Sequence, residues 1–120
     1  MFESSADFDP PLDLVHLARQ CLGDHELEAE LLGLFRLQAR VLTADLSDSP
    51  LQSLESKAKI AHRLRGAALA IGAGRVAEAA GRLEELASAG GDQRSAEMNA
   101  TAALLSAVAE VVAAIDRIRT

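Results

Sequence analysis

Ile60-Ala61-His62-Arg63-Leu64-Arg65-Gly66-Ala67-Ala68-Leu69-Ala70-Ile71-Gly72-Ala73-Gly74 is the stretch whose period decides the fold. At about 100° per residue, Ile60, Leu64, Ala67 and Ile71 fall on one face of a helix. Gly72-Ala73-Gly74 then breaks or bends the chain. His62 points to the opposite side from that apolar face. Gly66 lies one turn above the imidazole, and a glycine inside a helix costs about 1 kcal/mol relative to alanine. The wheel puts that glycine on the histidine side, so it clears space over an outward ring rather than letting another helix approach.

Working outward, turn signals cut the rest of the chain into helical pieces, and no segment sustains a period of two. Pro10-Pro11 opens a short helix to about Leu22, with Leu12, Val15 and Leu22 at helical spacing. Gly23 ends it and Asp24 caps a second helix, whose first turn carries Glu26 and Glu28 where the helix dipole favours acids. That helix repeats Leu27, Leu31, Leu34/Phe35, Gln38 and Leu42 and fades near Leu46. Ser49-Pro50-Leu51-Gln52 reads as a capping box with proline at the first helical position, opening the third helix. A fourth helix, near Arg75 to Ala89, carries Val76, Ala79/Ala80, Leu83 and Leu86. Gly90-Gly91-Asp92 makes the next turn. A last helix from about Ser95 to Ile118 aligns Leu104, Val108, Val111, Ile115 and Ile118. The expected fold is all-α: an antiparallel up-and-down four-helix bundle with a short extra N-terminal helix across one end.

Composition supports that class. The chain has 120 residues, enough for one core, and hydrophobic residues make up 49%, which excludes a disordered chain. Aromatics are 2% (Phe2, Phe8 and Phe35), so the core is built from Leu, Ala, Val and Ile, which suits close-packed helices. Residues 1–9 are read as a flexible start and 10–120 as one bundle domain. A net charge of −6 argues against nucleic acid as a partner. Cys21 is alone, so no disulfide framework or cysteine metal site is expected; it reads as a small buried apolar side chain. No signal peptide and no apolar run approaching the ~20 residues of a membrane span is evident. The expectation is therefore a cytoplasmic protein without membrane contact. With no spare apolar stripe or heptad seam evident, it is also expected to be a monomer.

His62 is neighboured along its own line by Ala58, Gly66 and Leu69, with Lys59 and Arg65 about 60° to either side. A small apolar patch with a cationic rim suits an acidic partner protein, and the cations suit a phosphoryl group carried on the ring. A neutral imidazole is a nucleophile, and a carboxylate accepting from Nδ1–H leaves the Nε2 lone pair outward. Glu78, Glu84 and Glu85 on the fourth helix are the candidate carboxylates. Lys57, Lys59 and Arg63 read as a solvated face, with Lys59 and Arg63 near the histidine. His16 and His25 read as surface residues.

His62-Arg63-Leu64-Arg65-Gly66 followed by Ala67-Ala68-Leu69-Ala70-Ile71-Gly72-Ala73 resembles the histidine-phosphotransfer (HPt) signature, H-x-L-K-G, then five residues and G-A. Leu22-Gly23-Asp24, the Leu-rich second helix with Phe35, and Arg82-Leu83-Glu84 also fall where family members place similar residues. The resemblance implies a four-helix bundle that relays phosphate between aspartates of response-regulator receiver domains, or from a sensor kinase, including hybrid sensor histidine kinases. It implies that His62 is phosphorylated on Nε2, that Arg65 stands at the family's lysine position, that Gly66 gives the receiver room, and that Glu84 hydrogen-bonds Nδ1. Ala58, Lys59, Arg63 and Leu69 would contact the partner. Arginine for lysine at position 65 keeps the charge but brings a bulkier planar fork.

Such a domain has no cofactor of its own. Phosphoryl transfer needs Mg²⁺, and with no Walker loop, kinase motif or acidic cluster here, the receiver is expected to bring the metal and the aspartate. Whether a covalent intermediate of this kind is an enzyme is a matter of definition. The other reading is a helical-bundle interaction module that binds a signalling partner without phosphotransfer; intact His62 and Gly66 favour the first.

Overall fold

The computed structural model describes residues 10–48, 53–89 and 93–119. Five helices follow in order, α1 (Leu14–Gln20), α2 (His25–Asp48), α3 (Leu54–Ile71), α4 (Gly74–Ala89) and α5 (Arg94–Arg119), and no strand occurs among the described residues. α2 packs on α3, α3 on α4, α4 on α5, and α5 closes back on α2; α1 lies against α2 and α3. This is an up-and-down bundle of four long helices with a short N-terminal helix added.

Local chemistry sets the helix ends. The Asp13 carboxylate accepts from the His16 N–H at 3.0 Å, capping α1. Leu22 (φ 53°) and Gly23 (φ 78°) turn left-handed after it, and the Gly23 N–H closes back on the Ala18 carbonyl at 3.0 Å. Asp24 Oδ1 accepts from the N–H groups of Glu26 and Leu27 at 3.0 and 3.2 Å, ahead of Glu26 and Glu28 in the first turn of α2. Ser53 Oγ accepts from the Ser56 N–H at 3.1 Å and caps α3. The expected capping box at 49–52 and the turn at 90–92 lie outside the described residues, as does the N-terminal segment 1–9.

α3 ends at Gly72 (φ 79°), which also receives α1. The Asp13 N–H donates to the Gly72 carbonyl at 2.9 Å, and His16 Nε2 lies 3.1 Å from the Leu69 carbonyl. Two of the carbonyls left over at the end of α3 are thus met by α1. His16 is half-buried in this role, where a surface residue was expected.

The core joins Leu17 of α1 to Leu64 and Ile71 of α3, Val76 and Leu83 of α4, and Leu104, Val111 and Ile115 of α5, all fully buried. Ala61, Ala68 and Ala80 are fully buried between them and let α3 and α4 approach closely. In two places the buried face matches the expected one only in part. α2 buries Leu32, Phe35, Ala39, Leu42 and Leu46 and leaves Leu27 and Leu34 exposed. The helix carries two apolar stripes about 100° apart, and period alone does not say which meets the core. Around α1, Leu12, Leu17 and Cys21 turn inward while Val15 and Leu22 are exposed; the helix stops at Gln20, so Leu22 sits in the turn beyond it.

α5 buries Leu104, Val108, Val111 and Ile115 as expected and leaves Ile118 half exposed. Against expectation, its span Arg94–Ile118 is long and apolar enough, by length and composition alone, to cross a membrane. In the bundle Ala100, Leu104, Val108, Val111, Ala114 and Ile115 of that span complete the core. Lys57, read as part of a solvated face, instead pairs with Glu97, tying the start of α3 to the start of α5 with both side chains only 12% exposed.

Candidate functional site

His62 projects from the middle of α3, opposite the buried Ile60 and Leu64, with its side chain 70% exposed. Its Nδ1 lies 2.9 Å from Glu84 Oε2 on α4. A carboxylate can only accept, so Nδ1 carries the proton and the Nε2 lone pair is left free. Nε2 has no hydrogen-bond partner among the described residues. Of the three candidate acids on α4, the structure brings Glu84 to the imidazole; its side chain is 29% exposed, with the carboxylate shielded on one side by the bundle.

A Cβ added at Gly66 would find nothing within 4 Å, so the face above the imidazole is open. Arg65 turns toward α4, where its Cδ and Nε lie 3.8 Å from the position a Cβ would take at Gly81. Arg63 leaves the helix about 200° away from Arg65. Both arginines are exposed, and neither makes an ion pair among the described residues. Lys59 is exposed and sits 3.6 Å from Glu55, one turn back on the same helix. Ala58 is half-buried and Leu69 is 54% exposed, in line with His62 toward the end of α3 where α1 attaches.

One exposed apolar surface escaped the sequence reading. Leu34, Leu37 and Val41 of α2 are each about 60% exposed. Arg36, bonded to Asp116 at 2.8 Å, marks the side of α2 that meets α5. Leu34, Leu37 and Val41 lie about 160°, 100° and 140° from Arg36 on the helix wheel, so the stripe faces outward, away from the buried side of α2 and from α5. Leu14, Val15, Ala18 and Leu22 add a second exposed apolar patch on α1. The seven-residue spacing of Leu27, Leu34 and Val41 was the available signal. It is also a spare apolar stripe of the kind whose absence underlay the expectation of a monomer.

A bundle of four helices with an outward histidine, held at Nδ1 by a carboxylate from the neighbouring helix, is the arrangement that the resemblance to histidine-phosphotransfer domains leads one to expect. A family model described as "Hpt domain" matches residues 30–120, and the chain belongs to that family. α1 and the first residues of α2 precede the matched region. No curated protein and no solved structure matches the chain. Hpt domains carry out histidine phosphotransfer in two-component phosphorelays and interact there with receiver domains and kinases.

Proposed function

We propose that this chain is a phosphorelay carrier in which His62 Nε2 exchanges a phosphoryl group with an aspartate of a response-regulator receiver domain. The observation that carries the reading is the bond from His62 Nδ1 to Glu84 beneath an unobstructed Nε2. In the forward step Nε2 attacks the phosphorus of the partner's aspartyl phosphate. The N–P bond forms as the P–O bond breaks, and the aspartate leaves as a carboxylate. The ring keeps its Nδ1 proton, and the positive charge that develops on it faces Glu84. Mg²⁺ is held by the receiver, which also supplies the groups that activate the phosphoryl group.

Arg63 and Arg65 flank the site with donors for an anionic group or an acidic partner. Gly66 leaves the receiver room, and Ala58, Lys59 and Leu69 border the contact. Incubation with phosphorylated receivers should yield an acid-labile, base-stable phosphate on the wild type and none on His62→Gln. Receiver binding without any label would overturn the carrier reading in favour of an interaction module.

A further inference from the structure

Gly81 stands in the interior of α4, where no backbone requirement explains a glycine. The described residues with positive φ are Leu22, Gly23 and Gly72, so its conformation is open to any residue. A helix interior disfavours glycine by about 1 kcal/mol relative to alanine. Nor does another helix press against it. Within 4 Å of a Cβ built at Gly81 lie two atoms, Arg65 Cδ and Arg65 Nε, each at 3.8 Å.

The register is informative. Arg65 follows His62 by three residues on α3, and Gly81 precedes Glu84 by three on the antiparallel α4. Residues three apart share a helix face. The Arg65–Gly81 contact therefore crosses the same pair of helices one turn away from the His62–Glu84 bond. Arg65 borders a shallow depression on α4 together with Glu78, Gly81 and Glu84, yet it makes no ion pair among the described residues.

We infer that Gly81 is a positioning residue, a seat without a side chain that lets the stem of Arg65 lie across α4 and holds its guanidinium beside the His62–Glu84 pair. A longer side chain at position 81 would project into that place and turn the guanidinium away. Held there, the unpaired N–H groups remain available to a phosphoryl group on Nε2. The planar fork of arginine needs this seat in a way that a lysine stem, ending in a compact ammonium, does not. The inference rests on the phosphotransfer reading of His62.

Five proteins test it: wild type, Gly81→Leu, Arg65→Ala, the Gly81→Leu/Arg65→Ala double variant, and Gly81→Leu carrying Arg65→Lys, each checked by thermal melting. Two readouts are taken: transfer from a phosphorylated receiver, and the lifetime of phosphohistidine formed with phosphoramidate, which needs no partner. Gly81→Leu should slow transfer about threefold or more when Arg65 is present and add nothing when Arg65 is absent. Arg65→Lys in the Gly81→Leu protein should restore part of the rate. Equal losses in both backgrounds, or no loss in either, would overturn the role of Gly81. A wild type that takes no label from any receiver would instead overturn the phosphotransfer reading, and the phosphoramidate lifetimes would still report the Arg65–Gly81 coupling.

Discussion

Glu84 Oε2 and His62 Nδ1 meet at 2.9 Å across the α3–α4 interface, the most extensively packed pair of helices in the bundle. The bond sets the tautomer of a ring that is otherwise free to rotate in solvent, so Glu84 orients the nucleophile more than it stabilises the fold. An exposed pair of this kind contributes about 0–1 kcal/mol to stability.

Glu84→Ala should therefore leave the melting temperature nearly unchanged while slowing phosphate uptake by His62. A charge-assisted hydrogen bond is worth about 1.5–3 kcal/mol, so a loss on the order of tenfold or more is expected. Single-turnover transfer from a labelled receiver measures it. Glu84→Gln, which can still accept from Nδ1–H, should retain more activity than Glu84→Ala. An Ala variant as fast as wild type would remove Glu84 from the site.

Gly66 separates fold from docking. Because a Cβ there meets open space, Gly66→Ala should raise stability by about 1 kcal/mol in chemical denaturation. Gly66→Leu should gain helix propensity too, but it should weaken receiver binding by standing over the imidazole. Calorimetric titration with a receiver separates the two effects; equal affinity of the Leu variant and wild type would show that the partner approaches from elsewhere.

The histidine face was legible in the sequence because its signals are local. Helical period placed His62 opposite Leu64, the cost of Gly66 marked the cleared space, and Gly72-Ala73-Gly74 marked the end of α3. Which stripe of α2 faces inward was not legible. Leu34 and Phe35 are adjacent and both apolar, and only packing against α3 and α5 decides that Phe35 is buried and Leu34 exposed. The Lys57–Glu97 pair joins residues 40 apart in sequence, and no local pattern announces it. The role of His16 depends likewise on α1 folding back onto Leu69, 53 residues away. Choosing Glu84 over Glu78 and Glu85 needed either the family resemblance or the register of α4 against α3.

Gly72 should be less replaceable than Gly23, Gly66, Gly74 or Gly81. Its φ of 79° strains any L side chain, and a Cβ there would lie 2.9 Å from the Asp13 carbonyl oxygen. The left-handed conformation alone costs about 1–2 kcal/mol for other residues. Pushing Asp13 away would also threaten the bonds that hold α1 to the end of α3. Gly72→Ala should lower the melting temperature by roughly 4 °C or more. Amide exchange should show α1 opening more readily in the variant than in wild type. Unchanged exchange in α1 would mean that its attachment does not run through Gly72.

Cys21 provides a test at alkaline pH. Burial raises its thiol pKa above the usual 9.0, and the carboxylates of Glu28 and Asp24 push it further the same way. In the unfolded chain the thiol ionises at its ordinary value, while in the bundle it keeps its proton to higher pH. Above the ordinary thiol range the unfolded state therefore binds fewer protons than the folded one, and stability falls as pH rises. The contribution is intact below that range and is lost from about pH 8.5 upward. Urea midpoints measured from pH 7 to 10 should fall more steeply for wild type than for Cys21→Ala, since other alkaline groups are common to both. The native thiol should also react slowly with a disulfide reagent at pH 8 and quickly once urea unfolds the chain. Parallel slopes for the two proteins, together with fast labelling of the native one, would place Cys21 in contact with solvent.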